Sequence, residues 1–330
     1  MRVFKFRLLI ALGLLLLGIT SAMAQVAPIR IGSTLSLTGP FAATAAMQKL
    51  SGEIFVEQIN KRGGLLGRPV EWVLKDDQSK PEITRTLYEK LLVEDKVDLI
   101  IGPYATGAIL SAMGVAQRYN KLLLHNTFGL PAQAKYEMQF SVSGGAYAIE
   151  SVWPKLVLDS VASTPKPPKT VAVVTSKFPS VYFVSEGARE EIKKRGLKES
   201  IYLEWDFGNR DFGSIAARIK DANPDFLWVG GVGIEGNLLI DAMKKIDYSP
   251  PLSFVAFPAP SLMTKSPNGE NVLALTVFED HPPFTTNSVA ASFVKTFHDQ
   301  GIKSNLPDPS VDLMASVAYS TWQVLEAAIN

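Results

Sequence analysis

His125 has the setting closest to that of a catalytic residue, since it ends a short apolar run and is followed by Asn126 and Thr127. An imidazole can act as a general base when a nucleophile and an orienting acid lie beside it. Hydroxyl side chains stand near His125 in the sequence, but no acidic residue accompanies them. We therefore interpret His125 as a hydrogen-bonding residue of a cleft or turn, and keep a hydrolase that uses it as an alternative.

A glycine-rich motif spans residues 231–236, which read G-x-G-x-x-G between a predicted strand and a predicted helix. This is the context of a dinucleotide-binding turn, which also requires an acid about 20 residues later. No Asp or Glu occurs between Asp247 and Glu270. We interpret the motif as a turn in which a helix and a ligand approach closely. The G-x-x-x-x-G-K-[ST] phosphate loop and the G-x-S-x-G nucleophile elbow are both absent from the sequence.

Metal and cofactor chemistry has few candidate residues. Cysteine is absent, and the three histidines lie far apart without the spacing of metal ligands. The pair Asp76-Asp77 follows a predicted strand, where paired acids are typical of a solvated turn or a helix cap. The sequence therefore predicts neither a metal site nor a cofactor.

The composition limits the class of protein and its partners. Of the 330 residues, 47% are apolar and 20% are charged, values typical of a globular chain of about two domains. Lys and Arg number 33 against 32 Asp and Glu, which gives a net charge of +1. Nucleic acid is not an expected partner, because nothing in this balance attracts phosphates.

Apolar β-rich runs alternate with helical patterns along the chain. The predicted strands are 29–35, 70–74, 99–101, 122–124, 171–174, 201–203, 226–229 and 252–255, and the predicted helices are 42–61, 81–94, 107–119, 181–195, 212–222, 237–246, 289–297 and 314–329. Ser79 is expected to cap the second helix. Proline-rich residues 163–168 separate two such series. The alternation predicts an α/β fold of two doubly wound parallel-sheet lobes, each sheet covered on both faces by helices.

Ligands of open α/β sheets bind beyond the carboxyl ends of the strands. The segments that follow the predicted strands are rich in Gly, Ser, Thr, Pro and aromatic residues and nearly free of charge; they are 36–41, 102–106, 125–129, 175–182, 230–233 and 256–260. Such loops suit a small ligand held by backbone amides, hydroxyls and apolar walls.

The first 24 residues have the pattern of a cleavable export signal. Arg2, Lys5 and Arg7 precede an apolar run at 8–19, and Ala22-Met23-Ala24 forms a small-x-small cleavage site. The run is too short for a membrane span, which needs about 20 residues. We predict a signal peptide at 1–24, a periplasmic location and no stable membrane insertion.

Several short motifs occur in a characteristic order. They are IRIGSTLSLTGP at 29–40, NKRGGLLG at 60–67, KDD at 75–77 with Pro81, LIIGP at 99–103, and AY at 318–319 with QVLEAA at 323–328. In this order they resemble the periplasmic substrate-binding proteins of ABC importers, of the branched-chain (Leu/Ile/Val) amino-acid-binding type. The resemblance covers the chain from about residue 26 to its end.

The resemblance implies a type I periplasmic binding fold, in which hinge strands join two lobes that close on a ligand. It places the first lobe at 26–142 plus 282–330 and the second at 143–281, with hinges near 141–145 and 277–283. It implies a receptor, not an enzyme, that delivers its ligand to a membrane permease, and we expect a monomer. Members of this family continue beyond the final helix seen here, so a truncated C-terminal end is expected.

The family's ligand positions match this chain unevenly. The grip for a ligand carboxylate falls on Ala105 and Thr106 and on 127–129, but Gly129 stands where the amino-acid binders have Thr. The aromatic residue of the first loop falls near Thr44. The Tyr of the second lobe falls at 180–182, and a further aromatic falls at Val232.

The family's acid that pairs with an α-ammonium group falls near Pro258, and no acid lies within ten residues of it. Burying an ammonium group without a partner costs several kcal/mol. We therefore predict a small carboxylate or amide ligand with an apolar body, which includes aromatic acids, bound better than leucine. If Glu235 or Glu279 supplied the missing acid, amino-acid binding would be restored.

The predicted site divides into a polar end and an apolar wall. Thr106 and Thr127 offer hydroxyls, and the helix that begins at Thr106 offers amides to an anion. The full set of predicted ligand-binding residues is Ala105, Thr106, Asn126, Thr127, Gly129, Phe178, Tyr182, Val232 and Phe257. A periplasmic ligand-sensing module of the same fold, and an exported hydrolase, remain the alternative functions.

Overall fold

The computed structural model describes residues 26–126, 135–143, 148–256 and 266–330. The predicted signal peptide lies outside these residues, as do Thr127, Gly129 and Phe257. None of the described helices is both long enough and apolar enough to cross a membrane.

The first sheet has five parallel strands in the order β2-β1-β3-β4-β5. The strands are β1 (Ile29–Leu35), β2 (Val70–Asp76), β3 (Leu99–Ile101), β4 (Leu123–His125) and β5 (Gln139–Ser141). The helices that follow β1, β2 and β3 are α1 (Ala42–Lys61), α2 (Pro81–Val93) and α3 (Thr106–Arg118). Ile101 and Leu124 join one apolar core and Ile100 and Leu123 join another, so both faces of the sheet are covered.

The second sheet also has five parallel strands, in the order β10-β9-β8-β6-β7. Its elements in chain order are α4 (Ile149–Ala162), β6 (Thr170–Ser176), α5 (Pro179–Lys194), β7 (Lys198–Trp205), α6 (Gly213–Ala222), β8 (Phe226–Gly230), α7 (Glu235–Lys245), β9 (Leu252–Val255) and β10 (Val272–Ala274). All five residues of β8 are buried, because alternate side chains enter the cores on opposite faces. The prediction of two parallel-sheet α/β lobes is confirmed.

Two helices after the second sheet return to the first. A short 3₁₀ turn (Phe284–Thr286) leads to α8 (Ser288–Lys303) and α9 (Leu313–Ile329). Phe293 of α8 stacks on Tyr319 of α9 with ring centroids 4.0 Å apart, and both join the core that contains α1. The first turn of α9 instead contributes Met314 to the core of the second sheet. Helix α9 therefore packs against the cores of both sheets.

Helix α8 has a side-chain cap at its N-terminus, whereas α2 has none. Asn287 caps α8 by accepting hydrogen bonds from two backbone amides. The predicted capping role of Ser79 is wrong, because the N-cap position of α2 is Lys80. The Ser79 hydroxyl instead donates to the Thr38 carbonyl at 2.9 Å and accepts from the Phe41 amide at 3.3 Å. It thus fastens the loop that follows β1.

Candidate functional site

A small cavity lies where the carboxyl ends of the two sheets face each other. Its volume is about 40 Å³, and it is lined by Phe41, Tyr104, Ala105, Thr106, Ile109, Asn126, Phe178, Ser180, Val232 and Met314. Loops after β1, β3 and β4 supply one side, and loops after β6 and β8 supply the other. This is the position that the strand–helix alternation predicts for a ligand.

The loop after β1 is held by two acids from the end of β2. Asp76 accepts hydrogen bonds from the amide and the hydroxyl of Thr38. Asp77 is fully buried and accepts from the hydroxyls of Thr34 and Ser36, each at 2.7 Å. The acids therefore form a structural turn, as predicted, although Asp77 is buried and not solvated. Their effect is to fix the loop that carries Phe41 into the cleft.

Helix α3 begins at the cavity wall. Ala105 precedes it with φ of 72°, a left-handed conformation that is uncommon for residues other than glycine. Thr106, the first residue of the helix, is buried. The first amides of a helix have no carbonyl partner within it, and they carry its positive dipole end. This end of the cavity can hold the oxygens of a carboxylate or an amide.

Four aromatic rings, here called the aromatic cluster, meet beside the cavity. Phe41 packs edge-on against Tyr104 with centroids 5.5 Å apart, and stacks on Phe207 at 5.4 Å. Phe178 lies 6.0 Å from Phe41 and 5.0 Å from Phe207. Phe41 follows a strand of the first sheet, whereas Phe178 and Phe207 follow strands of the second. The cluster therefore joins the two halves of the molecule across the cleft.

Two buried titratable groups lie near the cluster. Burial, together with the nearby Asp312 carboxylate, raises the pKa of Tyr104 to about 12, although a hydrogen bond with the Thr44 side chain acts in the opposite direction. Asp312 is itself buried and caps α9 by accepting from the Ala315 amide at 2.9 Å. None of the described residues that line the cavity is an Asp, Glu, Lys or Arg. The described wall is therefore uncharged at neutral pH.

His125 belongs to the interior of the first sheet. Its Nε2 donates to Gln139 Oε1 at 2.6 Å, so its partner there is an amide and not a carboxylate. Burial lowers the pKa of His125, opposed by this hydrogen bond, and the imidazole is neutral at neutral pH. It lines a second, smaller cavity together with Trp72 and Trp322. This geometry favours the hydrogen-bonding interpretation of His125 over the hydrolase.

The glycine-rich turn after β8 is held by Glu235. Its two carboxylate oxygens accept from the amides of Val232 at 3.0 Å and Gly208 at 2.8 Å, and the side chain is buried. A Cβ at Gly231 would lie 2.9 Å from the Gly236 nitrogen, so that position requires glycine. The motif is the close-packed turn that we predicted. Glu235 is not among the described residues that line the cavity.

The other alternative acid, Glu279, lies in the segment that returns from β10 towards α8. Burial raises the pKa of this carboxyl group. Glu279 is not among the described residues that line the cavity. The described structure therefore brings neither alternative acid to the cavity wall.

The structure brings five of the nine predicted ligand-binding residues to one cavity, namely Ala105, Thr106, Asn126, Phe178 and Val232. Tyr182 is not among the described lining residues; its ring packs near Phe183 instead. Helix α5 begins at Pro179 and turns about 100° per residue, so Ser180 faces the cavity and Tyr182 points elsewhere. Thr127, Gly129 and Phe257 lie outside the described residues, and the ligand-binding roles of all nine residues stay predictions.

Sequence reasoning missed several residues of the site. Phe41 and Tyr104 lie within segments that were singled out as strand-end loops, yet the resemblance placed the first-loop aromatic at Thr44. A signal was present, because each is an aromatic residue in the loop that follows a predicted strand. Met314 carried no such signal, since it reaches the cavity from the first turn of a helix.

The fold and this cavity define a two-lobed α/β protein of the ligand-binding class. A family described as periplasmic binding proteins matches residues 28–330, and the chain belongs to that family. The resemblance seen in the sequence is thereby confirmed. Because the family consists of binding proteins, the prediction that the chain is not an enzyme is confirmed as well.

Two curated relatives are amino-acid-binding proteins by name. The Leu/Ile/Val-binding protein BraC3 of Rhizobium johnstonii is 28% identical over 215 residues, which cover 64% of this chain and 57% of the relative. The leucine-, isoleucine-, valine-, threonine- and alanine-binding protein of Pseudomonas aeruginosa is 24% identical over 230 residues, 69% of this chain and 60% of the relative. The chain thus spans less than two thirds of the length of these relatives.

Solved structures share the fold at lower identity. The branched-chain amino-acid-binding protein LivJ of Streptococcus pneumoniae, in complex with isoleucine, has a TM-score of 0.74 and 19% identity, with 91% of this chain and 83% of that chain covered. A solute-binding protein of an ABC transporter from R. palustris, in complex with benzoate, has a TM-score of 0.75 and 17% identity, with 92% and 80% covered.

Proposed function

We propose that the protein is the periplasmic receptor of an ABC importer, and that it closes its two lobes on a small carboxylate or amide with an apolar or aromatic body. Membership of the periplasmic binding protein family supports the receptor role. The receptor would deliver this ligand to a membrane permease.

The observation that carries the ligand class is that the described residues of the cavity wall are uncharged and lie beside four aromatic rings. An amino acid brings an α-ammonium group, and burial of that cation without a carboxylate costs several kcal/mol. A carboxylate needs no such partner here, because the first amides of α3 can receive it. The aromatic cluster supplies apolar area and edge or face contacts for the body of the ligand.

The names of the relatives favour amino acids, whereas the benzoate complex shows an aromatic carboxylate in a protein of this fold. We propose a carboxylate ligand for this chain, as in the benzoate complex, because the described cavity wall contains no acidic residue. We further propose the lobe boundaries stated above, 26–142 plus 282–330 and 143–281. The packing of α8 and α9 on the core that contains α1 supports this division.

Isothermal calorimetry on the mature chain tests the ligand class. We expect benzoate or 4-methylpentanoate to bind at least about tenfold more tightly than leucine, since a tenfold ratio corresponds to only 1.4 kcal/mol. Phe178→Ala removes a lining ring and should weaken binding of benzoate. Phe140→Ala, at a side chain that is 46% exposed on β5, is the matched control and should bind benzoate unchanged. Micromolar binding of leucine or valine without a response to the acids would overturn the proposal.

A further inference from the structure

Asn126 occupies a distinctive place at the end of β4. It lines the ligand cavity, and it also lines the second cavity that His125, Gln48 and Thr321 border. Asn126 therefore borders both spaces.

The side-chain amide of Asn126 is only half satisfied. Its Nδ2 donates to Gln48 Oε1 at 3.5 Å, and Gln48 Nε2 in turn contacts Met314 Sδ at 4.0 Å. The Asn126 Oδ1 atom is buried and has no hydrogen-bond donor within the described part of the chain. A buried acceptor without a donor is costly, so native proteins almost always provide one.

The polar groups around the second cavity are engaged elsewhere. Trp72 Nε1 donates to Ser33 Oγ at 2.8 Å, and the Thr321 hydroxyl donates to the Val317 carbonyl at 2.9 Å. His125 Nε2 donates to Gln139, as described above. None of these described groups donates to Asn126 Oδ1, so a molecule that enters the cavity can supply the donor.

We propose that Asn126 is a specificity-determining residue, whose Oδ1 accepts a hydrogen bond from a neutral donor on the ligand body, a hydroxyl or an amide N–H. This inference rests on the proposed function. An ammonium donor fits less well, because the amide oxygen alone would leave a buried cation without a counter-charge. The ligand then presents an oxyanion or amide oxygen to α3, an apolar face to the aromatic cluster and a donor to Asn126.

Matched ligand pairs test this assignment by calorimetry. The probes are benzoate with its three monohydroxy and three monocarbamoyl derivatives, and 4-methylpentanoate with its 2-hydroxy derivative. At least one donor-bearing probe should bind the wild type with an affinity about tenfold or more above that of its parent acid. The reason is that a site built for a hydrogen-bond donor rejects ligands that lack one. The hydroxyl and carbamoyl series distinguish the two kinds of donor.

Two variants assign that preference to Asn126. Asn126→Leu should reduce the preference for the donor-bearing probe over its parent acid by about tenfold or more, because the variant has no acceptor at this position. Asn126→Asp keeps an acceptor oxygen and should keep the preference for the donor-bearing probe. Thermal unfolding of both variants reports whether they fold, and the wild-type ligand pairs remain decisive if Asn126→Leu does not.

The outcomes separate this inference from the proposed function. If the parent acids bind and the affinity of every donor-bearing probe lies within threefold of that of its parent acid, then water donates to Asn126 Oδ1. The inference then fails, and the proposed function stands. A preference that persists in Asn126→Leu also overturns the inference. Binding of leucine or valine alone, or of none of the probes, overturns both.

Discussion

Phe41 is the central ring of the aromatic cluster, because it contacts the other three rings, two of them across the cleft. It is only 8% exposed, although it lies in a loop. The hydrogen bond from its amide to Ser79, and those that Asp76 and Asp77 accept, fix that loop in place. The ring is therefore positioned by polar contacts beneath it as much as by the apolar contacts around it.

Replacement of Phe41 by alanine should weaken binding of benzoate by about tenfold or more. Each aromatic pair contributes about 0.5–1.5 kcal/mol beyond its buried area, and Phe41 forms three of them. Calorimetry measures the change, with Phe140→Ala as the control at an exposed ring. Equal affinities for Phe41→Ala and wild type would show that the cluster lies apart from the bound ligand.

Glu235 should be a structural residue of the site. Its removal in Glu235→Ala leaves the buried Val232 amide and the Gly208 amide without their acceptor, which we expect to cost about 2–4 kcal/mol of unfolding free energy. Urea denaturation measures this cost. Glu190→Ala, at an exposed acid of α5, should change stability by less than about 0.5 kcal/mol. If Glu235 bound a ligand cation instead, Glu235→Ala would lose amino-acid binding at nearly full stability.

At the scale of elements, long periodic segments could be predicted closely from the sequence. The bounds of β1 and α1 agree with the prediction, because each is an apolar pattern followed directly by polar or glycine residues. Those of β9 agree as well, since Pro250 and Pro251 precede it. Strands β5 and β10 and helix α4 were not predicted. Strand β5 is three residues long with Phe140 exposed, and α4 carries Pro154 in its interior. Their identity depends on the neighbours that they pair with or pack against.

The cavity could be predicted only as far as the strand order allowed. The alternation of strands and helices indicates which loops share an edge, so Thr106, Asn126 and Phe178 could be placed together. The direction in which a side chain of a helix points depends on the residue at which the helix begins. The start of α5 at Pro179 thus turned Ser180 towards the cavity instead of Tyr182.

Helix α9 carries a titratable cap at its first turn. Burial, reinforced by the charges of Asp308 and Glu279, raises the pKa of Asp312 to about 6, although backbone hydrogen bonds from Ala315 and Met314 oppose the shift. The unfolded value is about 3.9. The folded protein therefore binds more protons than the unfolded chain between these values, and this contribution to stability is lost as pH rises through about 6.

The variant Asp312→Asn should reveal this titration, because asparagine also caps helices but does not ionise. Relative to wild type, we expect the variant to gain about 2 kcal/mol of unfolding free energy on going from pH 4.5 to pH 7.5. Urea denaturation at the two pH values measures the difference between the proteins. If the unfolding free energies of the variant and the wild type differed by the same amount at both pH values, this would contradict a raised pKa of Asp312.

At the scale of the whole molecule, we expect the contacts of the aromatic cluster to connect ligand binding to the lobe closure that we propose. Phe207 is 40% exposed and is not among the described residues that line the cavity, yet it stacks on Phe41 from the opposite sheet. We therefore expect it to stabilise the closed arrangement without forming the described wall of the site. A ligand that bridges both lobes favours the same arrangement by its differential affinity.

Phe207→Ala should shift the equilibrium between open and closed lobes. A loss of about 1 kcal/mol from the closed state lowers the apparent affinity for benzoate by about fivefold, because binding must then supply more of the closure free energy. Small-angle scattering should show compaction of the wild type on saturation with benzoate. The Phe207→Ala variant should reach the same compaction only at a higher benzoate concentration. Ile234→Ala, which removes a side chain 46% exposed at the edge of the glycine-rich turn, is the control for loss of apolar surface and should behave as wild type. A wild type that binds benzoate without compaction, or a Phe207→Ala variant with unchanged affinity, would contradict closure through the aromatic cluster.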